Sequence, residues 1–156
     1  MPTRLEDRFL AAEGAPVEVD GQLVHMMFEF PPITEPATLR IHLEVGSSRP
    51  QGVRLKARGG KLGINEQLVD DVVLWSDSAP PTVTAEVRPQ KSGKPVSLRL
   101  WNVWLDPAGT MQGWIGDAGI LLEAEQPGTT VLRCSDGFNA PTFDDLVVTV
   151  ALEPGA

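Results

Sequence analysis

Cysteine, histidine and basic residues are scarce in this chain, and each scarcity removes a class of function. The single Cys, Cys134, excludes an intrachain disulfide framework. Two histidines, His25 and His42, are too few for a centre ligated by three imidazoles. From residue 100 onward one basic residue, Arg133, stands against eight acids, and the whole chain of 156 residues carries a net charge of −8. Nucleic acid and anionic membrane surfaces need a net basic face, so neither is an expected partner. No apolar run approaches the ~20 residues of a membrane-spanning helix. Also missing are the Gly-x-x-x-x-Gly-Lys-Ser/Thr phosphate loop, Gly-x-Gly-x-x-Gly, the Gly-x-Ser-x-Gly elbow, Cys-x-x-Cys and His-Glu-x-x-His.

These absences point to a non-catalytic binding or assembly domain with no cofactor and no catalytic residues. Two alternatives stand beside that reading. One is a carbohydrate or small-ligand binding module using an exposed Trp. The other is an enzyme whose carboxylate site the sequence does not locate. A protein partner or a second copy of the chain is compatible with all three. Met1–Leu10 shows no positive segment followed by an apolar stretch. Together with the lone thiol, that leads to an expected cytoplasmic location.

A hydrophobic share of 42% and a charged share of 22% are ordinary for a folded domain, here read as one unit over residues 1–156. Residues 1–14 form its helical N-terminal segment. Thr3 and Glu6 have capping-box spacing, and Leu5 and Phe9 share one face, which predicts a short helix over about 4–13. From there the period is two. Val24, Met26, Phe28 and Phe30 fall on one face with Leu23, His25, Met27 and Glu29 on the other, and Leu39, Ile41, Leu43 and Val45 alternate with Thr38, Arg40, His42 and Glu44. Further short strands follow, with Gly, Pro and Asp turn signals every ~8–12 residues. The expected fold is all-β, an antiparallel β-sandwich of jelly-roll type. A closed β-barrel is the alternative.

Several constellations could carry function. Trp101 and Trp104 are three apart in one strand and therefore point to opposite faces. One belongs to the core. The other could offer a flat platform for a sugar ring, with Trp114 brought beside it by the Asp106–Gly109 turn. Asn102, Gln112 and Asp117 are the polar neighbours considered. The plainer reading, and the preferred one, makes every Trp a packing residue. Arg54, Lys56 and Arg58 form a one-sided basic stripe, which suits an edge strand protected against pairing. Val72–Trp75 is continuously apolar and reads as a central strand. Symmetric pairing about the Pro31–Pro36 loop would set His25 opposite His42, with Glu44 diagonal as a third metal ligand, although a solvated His pair on the outer face is the preferred reading. The acidic loop 135–145 offers oxygen ligands for calcium, but Asp, Asn and Gly are also turn formers, and metal-free turn chemistry is the preferred reading. Cys134 lies within a strand and reads as structural.

Phe143-Asp-Asp-Leu-Val-Val-Thr-Val150 resembles the closing strand of jelly-roll carbohydrate-binding modules, in which an Asp pair precedes the last apolar strand. The resemblance implies the same sandwich architecture and no particular site residue.

Overall fold

The computed structural model describes residues 4–91, 93–137 and 141–154. Its elements in chain order are α1 (Leu5–Ala11), β1 (Val17–Val19), β2 (Gln22–Val24), β3 (Phe28–Glu29), β4 (Ala37–Val45), β5 (Gln51–Arg58), β6 (Gly60–Ile64), β7 (Gln67–Val69), β8 (Asp71–Trp75), β9 (Thr82–Pro89), β10 (Ser97–Leu105), β11 (Met111–Gln112), β12 (Gly119–Gln126), β13 (Thr129–Ser135) and β14 (Leu146–Pro154). Two antiparallel sheets face each other. The larger runs β12-β13-β14-β4-β9-β6-β7, and the smaller runs β11-β10-β5-β8 with β3 also paired to β10. The sheets do not close into a barrel, so the fold is the antiparallel β-sandwich.

Alternation decides which side of each strand is buried. Leu39, Ile41, Val83, Ala85, Val148 and Val150 line the inner face of the large sheet. Val53, Leu55, Leu98 and Leu100 answer them from the small sheet, and all belong to one core cluster. Most of these residues are fully excluded from solvent, each Val, Leu or Ile among them contributing roughly 1.5–3 kcal/mol of burial. Gly59-Gly60 does not form a hairpin turn. There the chain leaves β5 in the small sheet and enters β6 in the large one. A Cβ at Gly60 would lie 2.5 Å from the Arg88 carbonyl oxygen, so only Gly fits this corner.

Helix α1 buries Leu5 and Phe9 in a separate cluster with Val17 and Val24 of the β1–β2 hairpin. Its cap differs from the capping box expected at Thr3, which lies outside the described residues. Arg4 is the N-cap residue and gives no side-chain cap bond. Instead the Leu5 N–H donates to the Asp117 carboxylate at 3.0 Å, so a loop far along the chain satisfies the orphan amide.

Two expectations about the small sheet are reversed. β5, with its basic stripe, lies between β10 and β8 and is no edge strand. β8, the apolar run, is the edge. Its apolar character comes from packing on both faces. Leu74 points into the core, while the Trp75 ring lies over Gly52, where a Cβ would come within 3.0 Å of it.

The expected hairpin between the two histidine strands also does not form. β3 pairs with β10, and β4 pairs with β14 and β9. Pro31, Pro32 and Pro36 cannot donate ladder hydrogen bonds, and this segment carries the chain from one sheet to the other. The parity argument is satisfied equally by two strands that face one core from opposite sheets.

Candidate ligand-binding face

The outer face of the small sheet holds the most chemically distinctive surface among the described residues. Ser97, Arg99 and Trp101 of β10 alternate with the buried Leu98 and Leu100 and therefore point outward. Arg54, Lys56 and Arg58 do the same on β5. The register aligns Trp101 with Arg54, Arg99 with Lys56, and Ser97 with Arg58. Directly opposed residues share a face, so these six side chains border one open concavity of about 260 Å³, completed by Trp114. That volume is just below the usual range of about 300–1,000 Å³ for ligand pockets and suits one ring with part of the ligand in solvent.

Trp114 comes from the loop after β11. The Asp106–Gly109 turn forms as expected, with Gly109 N–H donating to the Asp106 carbonyl at 2.9 Å. The Asp106 carboxylate also accepts from Ala108 N–H and Thr110 N–H, both at 2.9 Å. These bonds, that of Thr110 foremost, hold its pKa below the usual carboxylate range. The loop then docks against the segment after β13. Gly116 and Gly137 allow this, because a Cβ on Gly116 would meet the Gly137 carbonyl oxygen at 2.3 Å, and one on Gly137 the Ile115 carbonyl oxygen at 2.2 Å.

The result lays the Trp114 indole on that of Trp101, with centroids 4.4 Å apart and planes 30° from parallel. Trp114 Nε1 donates to the Met26 carbonyl at 3.1 Å. Its φ of +62° lies in the left-handed region, which a bulky residue rarely adopts. Trp101 is only 6% exposed, whereas Trp114 remains 37% exposed. The platform is therefore Trp114, with Trp101 as its support. The Arg54 guanidinium sits 5.7 Å from the Trp101 centroid. It also forms a two-pronged bond to Asp71, Nε–Oδ1 2.9 Å and Nη2–Oδ2 2.7 Å, and that hydrogen bonding holds the Asp71 carboxyl below its ordinary value.

The other candidate ligand contacts lie elsewhere. Trp104 is 1% exposed on the core side of β10. Asn102 shares that side and donates to the Ser135 carbonyl at 3.0 Å. Gln112 is registered opposite Trp104 and donates to Asp106 at 3.0 Å. Asp117 is the helix cap already described. Strand parity separates Trp101 from Asn102, Trp104 and Gln112, so these three do not meet a ligand on the outer face. Conversely, the sequence reading missed Arg99 and Ser97 and assigned the β5 cations to edge protection. Their alternation with Leu98 and Leu100 was visible, but the register that joins them to β5 was not.

The proposed metal trio is not assembled. His42 contacts Glu44, Nε2–Oε1 3.3 Å, and the Thr82 hydroxyl. His25 instead bridges to Ile120, and the register from Ile120 runs through Cys134 and Leu146 to Val45. Four strand spacings separate His25 from β4, about 19 Å at the usual 4.7–4.9 Å each. Burial lowers the pKa of His25, which lines a second concavity of about 530 Å³ beside Met26, Phe28 and Leu122. Part of the acidic loop, residues 138–140, lies outside the described residues. Within the rest, buried Asp136 accepts from Arg49 Nη1 at 2.8 Å and Gln51 Nε2 at 3.0 Å, and Asp145 accepts from the Asp136 N–H. Among the described residues no group of three or more His, Cys, Asp or Glu side chains is placed to hold a metal ion. Cys134 is fully buried, and desolvation pushes its thiol pKa far up. No helix among the described residues is long and apolar enough to cross a membrane.

No protein-family model matches the chain, and no curated protein matches it. Among solved structures it is similar to the Chromobacterium violaceum lectin CV2L in complex with alpha-methyl-fucoside, at 14% identity over 84% of this chain and 97% of that one, with a TM-score of 0.42. A likeness of that size carries no functional argument, and the sandwich assignment rests on the strand registers above.

Proposed function

We propose that this chain is a non-catalytic binding domain for a ring-bearing small ligand, with a sugar as the leading candidate, and that the ring stacks on Trp114. One observation carries the reading: an indole that stays open to solvent is nevertheless fixed from below by Trp101 and at its edge by the bond to Met26. A platform ordered before the ligand arrives avoids the entropy of freezing a mobile side chain. Indole faces suit the C–H side of a pyranose, and nearby polar groups orient it. Binding is favoured over catalysis because the carboxylates at this face, Asp71 and Glu29, are held by Arg54 and Arg99. The Asp71 carboxyl, held below its ordinary range by the Arg54 guanidinium, is poorly poised as a general acid near neutral pH.

Isothermal titration of the wild type and of Trp114→Ala against neutral and acidic methyl glycosides tests the reading. Saturable binding by the wild type, lost in the folded variant, is the expected result. Absence of binding by every glycoside, or equal binding by the variant, would overturn it.

A further inference from the structure

The cations around Trp114 are arranged in a way that neither fold nor solubility explains. Across four strands one register row reads Asp71, Lys56, Arg99, Glu29. The two acids stand at the outside and the two cations directly oppose each other in the middle. Like charges in directly opposed positions destabilise a sheet. Arg99 has Glu29 at 3.2 Å, and both Asp71 oxygens are engaged by Arg54. Lys56 and Arg58 make no contact ion pair among the described residues, although the Lys56 charge acts across the ladder on Asp71, and both are exposed. Edge protection is excluded because β5 is interior to its sheet. General solubility is no better an explanation, since the chain already carries a net charge of −8 of the opposite sign.

We infer that this face recognises an acidic saccharide: the pyranose ring lies on Trp114 and its carboxylate or sulfate is received between Lys56, Arg58 and Arg99. This rests on the Trp114 reading above and names the substrate class of the same site. The spacing fits a single small ligand. Arg99 lies two residues from Trp101 on the same face, and Arg54, Lys56 and Arg58 follow one another at about 7 Å, two strand rises apart. A ring on Trp114 therefore presents its exocyclic substituent within reach of long cationic side chains. Exposed Ser97, opposite Arg58, adds a hydroxyl at the same rim. Long polyanions are disfavoured by the acidic remainder of the surface, so the charge requirement is local.

The test compares methyl glucuronide and glucose 6-sulfate with methyl glucoside, by calorimetry, on the wild type, on Lys56→Ala/Arg58→Ala and on Trp114→Ala. Removing two cations that make no contact ion pair leaves the Arg54–Asp71 and Arg99–Glu29 bonds in place and gives up only the attraction of Lys56 for Asp71, and urea unfolding of the double variant verifies that the fold survives. The wild type is expected to prefer one or both acidic sugars by about tenfold. That preference shrinks in high salt and vanishes in the double variant, read as the ratio of its affinities for acidic and neutral glycosides. Equal affinity for acidic and neutral sugars in the wild type, or a preference that survives in the double variant, would overturn the anion site while leaving the Trp114 platform standing. Failure of every glycoside would overturn both. Inorganic sulfate binding as tightly as the acidic sugars, or adenosine monophosphate binding tighter than they do, would overturn the saccharide assignment.

Discussion

Removing the Trp101 and Trp114 rings singly and together measures whether the platform is a coupled unit. Trp101 is 6% exposed, so Trp101→Ala deletes an almost fully buried ring and should cost about 3–5 kcal/mol. Trp114 is 37% exposed and donates one hydrogen bond, and Trp114→Ala should cost about 1–2 kcal/mol. Stacked at 4.4 Å, the rings should interact by about 0.5–1.5 kcal/mol beyond burial. The double variant should accordingly lose less than the two single losses combined, by that amount. A further variant addresses the backbone. At φ +62° an alanine is strained and a glycine is not, so Trp114→Gly should be more stable than Trp114→Ala by about 0.5–1 kcal/mol. Urea unfolding of the five proteins, with midpoints and slopes compared, reads all of these. Losses that add to within about 0.3 kcal/mol would show that the indoles do not support each other. A Gly variant no more stable than the Ala variant would refute the strain argument.

Gly137→Ala places a methyl 2.2 Å from the Ile115 carbonyl oxygen and 2.9 Å from Trp104 Cζ2. It should lower stability by about 1–3 kcal/mol and undo the docking of the Trp114 loop, visible in thermal melting and in Trp fluorescence; an unchanged melting curve would contradict the close packing. Asp145 has its pKa raised by burial, with the charges of Asp136 and Asp144 adding to the effect. A carboxyl raised on folding contributes stability below its unfolded value and loses that contribution as pH rises through its folded value. Asp145→Asn keeps an acceptor for the Asp136 N–H and should therefore be more stable than the wild type at neutral pH, with the advantage fading toward the ordinary carboxylate range; a less stable variant at pH 7 would reverse the sign.

The sequence by itself determined the class of the fold and much of its core, although Val45, of the same parity as Leu39, Ile41 and Leu43, is exposed. Alternation at Leu39, Ile41 and Leu43, or at Val83, Ala85 and Val87, states which side of a strand meets apolar surroundings, because the side-chain period of two is local. The same locality made the Asp106–Gly109 turn and the Leu5–Phe9 helix face legible. It also sets the limit. Parity names the buried face and not the partner strand, so the segment from His25 through β3, which bridges to β12 at His25 and pairs with β10 at Phe28–Glu29, read as a hairpin with β4. Charge and hydropathy along a strand did not disclose its place in the sheet either. The basic β5 proved interior, and the apolar β8 proved to be the edge, since Trp75 finds packing over Gly52 outside the core. The candidate face is tertiary for the same reason. Trp114, Trp101 and Arg54, with Lys56 beside Arg99, are joined by ladders between β5 and β10 and by a loop docked through Gly116 and Gly137. Those contacts depend on which backbones pair at long range, and no local pattern encodes that choice.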